Sequence, residues 1–233
     1  MKPLKVLYKD KNILVIDKPA GVTISDTIGS LNVQLFPFFY NKKLSDYSLY
    51  PIGALDSAAS GIQVFGLNSN ILQELNRSWN TSRVVKHFYA LVKGEIKTQL
   101  HFDFSLKNEN ENDYKPTTHL SPVCNFETVS LVKIWTENDC KNQIRRHLSR
   151  RCIKIIGDRK YGSKYWNNMF EDVLGLKRIF LHAYFLKLDL KSYNRKIEIN
   201  CPLPIDLSIV FEKLCSNYKN VLESNVREKV VNF

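Results

Sequence analysis

The segment 50–65 most constrains the fold, because it places a single carboxylate between two apolar runs. Asp56 precedes a Ser60-Gly61 pair that we interpret as a turn. A carboxylate entering an apolar strand loses hydration, so it either stays ionised beside a cation or takes up a proton. The expected cation is Arg145, far along the chain. For an isolated Asp the simpler alternative is structural, with its oxygens accepting hydrogen bonds from turn amides.

The predicted secondary structure indicates an α+β domain with a mixed sheet, because strands are interrupted by single helices. Residues 6–8 and 13–16 flank a polar turn and predict a hairpin. A helix follows the Asp56 segment, with Asn70 as its N-cap and Gln73 completing a capping box. Residues 26–48 lack a clean period and are interpreted as a loop. Further strands are predicted at 88–92, 129–135 and 181–190, and further helices at 143–150 and after an Asp206 cap.

Length and cysteine content narrow the class of protein. The 233 residues, 44% of them hydrophobic, can fill one core, and we expect a single domain over residues 1–233. Five cysteines form no close pairs of the kind that hold zinc, so we expect reduced thiols and no metal site. Apolar runs stay well short of the roughly 20 residues that cross a bilayer. We therefore expect a cytoplasmic protein without a membrane partner.

The charge balance points to a polyanionic partner. The chain has 34 Lys and Arg against 23 Asp and Glu, a formal net charge of +11, and phosphate contacts release condensed counterions. A dense basic run between residues 141 and 154 predicts a phosphate-facing surface to which Lys141, Arg146 and Arg150 contribute. A solvated helix face, in a basic protein that binds no nucleic acid, is the alternative.

Four blocks stand in an order that resembles the RluA-type pseudouridine synthases. After the Asp56 segment come KHFYALVKG at 86–94, QIRRHL at 143–148 and IGDRKYG at 156–162. KPAG at 18–21 and LHA at 181–183 match the opening and late motifs of the family, so the resemblance covers nearly the whole chain. The paired arginines of QIRRHL and the GLKR at 175–178 are most similar to the branch of the family that modifies transfer RNA.

The resemblance implies a fold, an activity and a set of site residues. The fold would be the pseudouridine synthase catalytic fold, a mixed β-sheet with flanking helices and a central RNA-binding cleft, without an S4 domain. The activity would be isomerisation of uridine in RNA, transfer RNA first and ribosomal RNA second, by a monomer without a cofactor. The target base would have to leave its stack. The implied residues are Asp56 as catalytic carboxylate, Arg145 as its ionic partner, Phe88 as stacking ring, Gln143 as a second substrate contact and Lys86 as an RNA contact.

Several positions depart from the family pattern. Gly53-Ala54-Leu55-Asp56 replaces His-Arg-Leu-Asp, so the arginine that fills the place of the extruded base is absent. Phe88 replaces a tyrosine and keeps a ring without its hydroxyl, while strand alternation should turn Tyr89 to the opposite face. Asp139 replaces a glycine. A relative that binds RNA with weakened catalysis is therefore the alternative function.

Several other residues have two interpretations. His147 either contacts RNA or is a core histidine with satisfied hydrogen bonds. The aromatic residues Tyr161, Tyr165 and Trp166 either stack on bases or belong to the core and its rim. The KPAG motif at 18–21 is interpreted as a structural turn without a chemical role.

Overall fold

A ten-stranded mixed sheet runs through the computed structural model, which describes residues 4–26, 28, 49–107 and 113–217. The main path of the sheet is β1-β2-β4-β11-β5-β10-β9-β6, with β3 beside β4 and β12 beside β11; β7 and β8 form a separate pair. The strands are β1 Lys5–Lys9, β2 Ile13–Lys18, β3 Tyr50–Ile52, β4 Ser60–Gly66, β5 Val84–Lys93, β6 Leu100–Phe102, β7 Leu106–Lys107, β8 Asp113–Tyr114, β9 Thr118–Phe126, β10 Val129–Thr136, β11 Leu181–Leu190 and β12 Arg195–Asn200. The helices are α1 Ser69–Trp79, α2 Gln143–Arg150, α3 Lys164–Leu174 and α4 Ile205–Asn217, with a 3-10 turn at Lys191–Tyr193.

Strand β11 organises the centre of the sheet. It pairs antiparallel with β5 along most of its length, parallel with β4 at His182 and Ala183, and antiparallel with β12 beyond Phe185. The β4–β11 pair is the parallel contact that makes the sheet mixed, which confirms the predicted fold class.

The two faces of the sheet are covered by different helices. Along β5, Tyr89 and Leu91 point to a core completed by α3 and α4, whereas Ala90 and Val92 point to a core completed by α2. This alternation follows from the two-residue period of a strand, and β5 is apolar on both faces because both are buried. Helix α1 packs its apolar stripe on the β4 side of the sheet.

The predicted helix caps are wrong in register, although both helices exist. Helix α1 is capped by Asn68, whose side chain accepts a hydrogen bond from the backbone N–H of Ile71, so Asn70 lies inside the helix. Asp206 lies in the first turn of α4, and its carboxylate accepts two hydrogen bonds from Arg178. At α1 the side chain two residues earlier therefore provides the cap that the pattern assigned to Asn70.

The Ser60-Gly61 pair is not a turn; it begins the buried strand β4. Gly61 has φ +110°, and a Cβ there would lie 2.2 Å from the carbonyl oxygen of Ala183 on β11. Glycine is therefore required by the close approach of two strands. The predicted hairpin and the strands at 129–135 and 181–190 are confirmed, whereas most of the predicted loop at 26–48 lies outside the described residues.

Among the residues that the structure describes, no helix is both long enough and apolar enough to cross a membrane.

Candidate active site

A cavity of about 1190 Å³ opens on the α2 face of the sheet, where β4, β11 and β5 meet. The loop between β3 and β4 carries Asp56 into this cavity, and the loop between β10 and α2 forms the facing wall. The volume exceeds the roughly 300–1,000 Å³ of a small-molecule pocket, so the cavity has room for more than one nucleotide. The charged side chains in its lining are Asp56, Lys86, Asp139, Lys141, Arg145 and Lys160.

Asp56 lies in the cavity with its side chain 20% exposed. One carboxylate oxygen is 3.4 Å from Nη1 of Arg145, and the backbone N–H of Asn142 also donates to the carboxylate. Burial raises the pKa of Asp56, and the opposite charge of Arg145 limits the rise. The expected contact between these residues is present, across 89 positions of sequence.

Arg145 is held mainly by a different carboxylate. Its Nε and Nη2 donate to the two oxygens of Asp158 at 2.8 and 2.7 Å, a planar two-pronged contact that buries both partners. Burial alone would raise the pKa of Asp158, but the Arg145 hydrogen bonds and two backbone N–H groups lower it below its usual value. Asp158 therefore fixes the guanidinium, which leaves Nη1 to face Asp56 and the side-chain oxygen of Asn142.

Lys18 holds the loop that carries Asp56 through hydrogen bonds to backbone carbonyls. Its side chain is fully buried, and Nζ donates to four backbone carbonyls, among them those of Ser57 at 3.4 Å and Ala59 at 2.9 Å. Burial lowers the pKa of Lys18 to about 8, against the opposing effect of nearby Asp56. The KPAG motif is thus structural as predicted, but its lysine is a buried cation that ties β2 to the loop of the candidate catalytic carboxylate.

Replacing Lys18 by methionine should destabilise the fold and slow turnover. The change leaves buried carbonyls without their donor, at about 1–3 kcal/mol for each group that finds no substitute, so we expect a loss of about 2 kcal/mol or more in the free energy of unfolding. Urea unfolding measures this loss. Lys11→Met is the matched control, because Lys11 is exposed in the β1–β2 turn; equal stabilities of the two variants would contradict the role of Lys18.

Phe88 and Tyr89 occupy opposite faces of β5, as predicted. Phe88 is half-buried in the cavity wall, where a planar base can stack against it. Tyr89 stacks on Tyr184 in the core on the other side, at 3.8 Å between ring centroids. The hydroxyl that the family places at position 88 is therefore not supplied by Tyr89.

Gln143 lies in the cavity wall with its amide nitrogen turned into the protein. Nε2 donates to the carbonyl of Thr117 and the hydroxyl of Thr118, at 2.9 and 3.0 Å. Its Oε1 is buried and has no hydrogen-bond partner among the residues that the structure describes. The side chain holds α2 against β9, so a direct contact with substrate requires a change at this amide.

Lys86, expected to contact RNA, is buried in the cavity wall. Its side chain is 7% exposed, and Nζ forms an ion pair with Asp139 at 2.6 Å. The two-residue period of β5 turns Lys86 to the same face as Phe88. Trp79 donates its indole N–H to the other oxygen of Asp139.

The nearby ring of Trp79 explains why position 53 is a glycine. Its φ is +55°, and a Cβ at this position would lie 2.1 Å from the ring of Trp79. The indole occupies the space beside the backbone where the family pattern has a histidine side chain, so Gly53 and Trp79 are sterically coupled. Ala54 follows on the cavity wall and is exposed.

The other predicted RNA contacts lie at or beyond the mouth of the cavity. Lys141 is exposed on its rim. Arg146 is partly exposed and donates to the carbonyl of Lys107 at 2.8 Å, and exposed Arg150 donates to the carbonyl of Ser105 at 2.7 Å. Arg146 and Arg150 thus hold the segment 105–107 while keeping part of their charge towards solvent.

The structure shows the surroundings of the remaining ambiguous residues. His147 is fully buried, between the hydroxyl of Thr118 and the carbonyl of Phe104, and burial lowers its pKa, so it is a core histidine. Tyr161 packs on the guanidinium of Arg145 at 5.0 Å, and Trp166 packs against the α3–α4 core. Tyr165 is 72% exposed.

Sequence reasoning assigned no role to Asn142, Asp158 or Lys160, all of which contact or line the site. In the sequence, the available signal for Asp158 is its position after an apolar run, within the IGDRKYG block at 156–162. Asn142 has a left-handed backbone, with φ 54°, immediately before α2. Asparagine tolerates this conformation better than most residues, which is the signal available in the sequence.

Known proteins resemble this chain over most of its length. It is 25% identical over 231 residues to tRNA pseudouridine synthase C of Haemophilus ducreyi, covering 90% of this chain and 95% of that protein. It is also 25% identical to ribosomal large subunit pseudouridine synthase C of Pasteurella multocida, covering 90% of this chain and 68% of that protein. Human RNA pseudouridylate synthase domain containing 4 shares the fold, with a TM-score of 0.74 at 19% identity and 94% coverage of both chains.

The family assignment rests on the sequence match and agrees with the cavity. The family model described as RNA pseudouridylate synthase matches residues 12–150, which include Asp56, Phe88 and Arg145. The expected resemblance to the family is thereby confirmed, and tRNA pseudouridine synthase C is among the similar proteins. The chain belongs to the RNA pseudouridylate synthase family.

Proposed function

We propose that the protein is an RNA pseudouridine synthase that isomerises uridine in transfer RNA, with Asp56 as the catalytic carboxylate. The observation that carries this proposal is the position of Asp56, which faces a cavity large enough for a nucleotide and lies 3.4 Å from a guanidinium that Asp158 holds in place. The match with tRNA pseudouridine synthase C favours transfer RNA as substrate, and the ribosomal enzyme among the relatives makes ribosomal RNA the alternative.

The reaction needs only the uridine and the side chains of the cavity. The bond between N1 of uracil and the ribose breaks, the uracil turns within the cavity, and C5 bonds to the ribose. C5 gives up a hydrogen and N1 gains one, so the atoms balance without an external reactant. Asp56 acts at the reacting end as nucleophile or base, Arg145 orients it, and Phe88 stacks on the uracil while the base turns.

The charges around the cavity fit an RNA chain that delivers an extruded base. Lys141 and Lys160 lie in the cavity lining, and Arg146 and Arg150 continue the positive surface along α2. Cations at these places can contact phosphates on either side of the target nucleotide. We propose that the protein acts as a monomer of one domain in the cytoplasm, where its five cysteines stay reduced.

Pseudouridine mapping tests the proposed function. Unmodified tRNA and rRNA transcripts are incubated with the protein, and new pseudouridines are located by carbodiimide-dependent primer stops. We expect a stop in tRNA that is absent with Asp56→Asn. Stops only in rRNA would show that rRNA, and not tRNA, is the substrate. Tight binding without a new stop in either RNA would establish the alternative function, an RNA-binding relative without turnover. Ala54 and Phe88 are the observations that favour this alternative.

Ala54→Arg should raise activity on paired uridines more than on unpaired ones. Extruding a paired base costs a few kcal/mol, and an arginine from the exposed cavity wall fills the gap that the base leaves. We expect the single-turnover rate on a stem uridine to rise about tenfold relative to a loop uridine, which corresponds to ~1.4 kcal/mol.

The control for this prediction is Gln73→Arg, which adds the same charge on the exposed face of α1. Equal changes of both rates with Ala54→Arg would show that the missing arginine does not shape substrate choice, and that the cavity is repacked around Trp79 instead.

A further inference from the structure

Two hydrogen-bond donors of the cavity wall converge on a single carboxylate. Nζ of Lys86 lies 2.6 Å from one oxygen of Asp139, and the indole N–H of Trp79 donates to the other. The ammonium also lies 5.1 Å from the centroid of the Trp79 ring. An ammonium and an N–H aimed at two oxygens of one anion form an oxyanion site, which suits a phosphate as well as a carboxylate.

The anion in this site is more exposed than its partners. The side chain of Asp139 is 36% exposed and that of Lys86 only 7%, so the carboxylate lies between the donors and the open cavity. Trp79 is buried in the core between α1 and the β4 side of the sheet, so its side chain is held in place if Asp139 moves. The acidic residue is therefore the movable member of the cluster, and the two donors belong to rigid elements.

We propose that Lys86 and Trp79 form a phosphate subsite for the RNA backbone, which Asp139 occupies in the free protein and vacates when RNA binds. The subsite rests on the proposed function, since it holds a phosphate beside the nucleotide in the cavity. Burial lowers the pKa of Lys86 and Asp139 opposes this effect, so an anion beside Nζ, the carboxylate in the free protein and the phosphate in the complex, keeps the lysine charged in either state.

The loop that carries Asp139 connects this subsite to Asp56. It leads within three residues to Asn142, whose side-chain oxygen accepts a hydrogen bond from Arg145 and whose backbone N–H donates to Asp56. A phosphate that displaces Asp139 therefore acts on the same short loop that contacts the candidate catalytic carboxylate. The backbone of Asp139 is held in place, because its N–H donates to the side chain of Asn80 at 3.1 Å.

Salt dependence distinguishes an occupied phosphate subsite from a permanent ion pair. If an RNA phosphate replaces Asp139, the displaced carboxylate stays close to the RNA backbone, and its repulsion of the phosphates cancels part of the contact that Lys86 gains. Asp139→Asn removes this cancellation, so the plot of log affinity against log salt should become steeper by about 0.7–0.9. At ~0.1 M salt we expect about fivefold to tenfold tighter RNA binding.

The experiment measures binding of unmodified tRNA transcripts in the Asp56→Asn background, which prevents turnover. A double-mutant cycle combines Asp139→Asn with Lys86→Met. We expect the gain from Asp139→Asn to vanish when Lys86 is absent. A gain that persists in the Lys86→Met background reflects general repulsion of RNA by Asp139 and overturns the proposal, as does an unchanged salt slope.

Trp79→Phe provides a second cycle, and it replaces the first if Lys86→Met does not fold as judged by circular dichroism. It removes the indole donor and keeps an aromatic ring, so the gain from Asp139→Asn should shrink. An undiminished gain contradicts the subsite. The indole N–H resonance of Trp79, identified among the three tryptophans by this variant, should shift when RNA binds.

The subsite and the proposed function fail in different ways. Absence of pseudouridine in the mapping experiment refutes the enzyme, and the binding cycle still reports whether phosphate replaces Asp139. Pseudouridine formation together with a cycle that shows no coupling between Lys86 and Asp139 refutes the subsite alone. Absence of RNA binding by the unmodified chain refutes both.

Discussion

Asp56→Asn is expected to abolish isomerisation while leaving the fold and RNA affinity intact. The amide keeps the shape of the carboxylate and the hydrogen bond with Arg145, but removes the charge that a nucleophile or base needs. We expect the single-turnover rate to fall by at least about 10³-fold, with the dissociation constant for RNA changed less than about threefold. Asp172→Asn, on the exposed face of α3, is the matched control.

The stability of the same variant should equal or exceed that of the original chain at neutral pH. Burial raises the pKa of Asp56, so between the unfolded and the folded pKa the native state binds more protons than the unfolded state. For this group the free energy of unfolding therefore falls as pH rises through that window, and an uncharged amide avoids the loss. Activity should fall as the pH drops through the raised pKa. Near-normal turnover by Asp56→Asn would remove Asp56 from the mechanism.

Arg145→Lys is expected to be nearly as damaging, although it keeps the positive charge. The guanidinium joins Asp158 through two nitrogens and Asp56 through the third. An ammonium is a point charge that cannot satisfy both carboxylates in this geometry. Asp56 would lose its orientation, and a displacement of about 1 Å lowers turnover on the order of 10²-fold. We expect kcat to fall more than KM rises.

Arg178→Lys is a closely matched control for this change. Arg178 also donates two hydrogen bonds to one carboxylate, that of Asp206, but the pair lies outside the cavity and Asp206 is exposed. We expect this variant to lose little activity and less than about 1 kcal/mol of stability. Arg145→Met should cost about 3–5 kcal/mol in the free energy of unfolding, since it leaves Asp158 buried without its partner. Similar kinetics for the two lysine variants would contradict the orienting role of Arg145.

The local sequence pattern was sufficient to predict those elements that depend only on the periodicity and the turn residues of neighbouring positions. The β1–β2 hairpin, strand β11 and helix α2 follow from periodicity and turn residues, and the structure has them where they were predicted. The same rule turned Phe88 towards the cavity and Tyr89 away from it. The cap of α1 was misplaced because Asn68 and Asn70 can both cap a helix and Gln73 favoured Asn70, whereas the packed helix starts after Asn68.

By itself, the sequence determined the fold class and the family and predicted the contact between Asp56 and Arg145, because ordered motifs and strand periods are linear properties. Tertiary structure decided which charges are buried. Lys18 and Lys86 both look like surface cations in the sequence, and Asp158 looks like one acidic residue among many. Each is ionic inside the protein because a partner from a distant segment compensates for its lost hydration. The partner is a set of loop carbonyls for Lys18, Asp139 for Lys86 and Arg145 for Asp158. Such compensation depends on distances across the fold, which no local pattern contains.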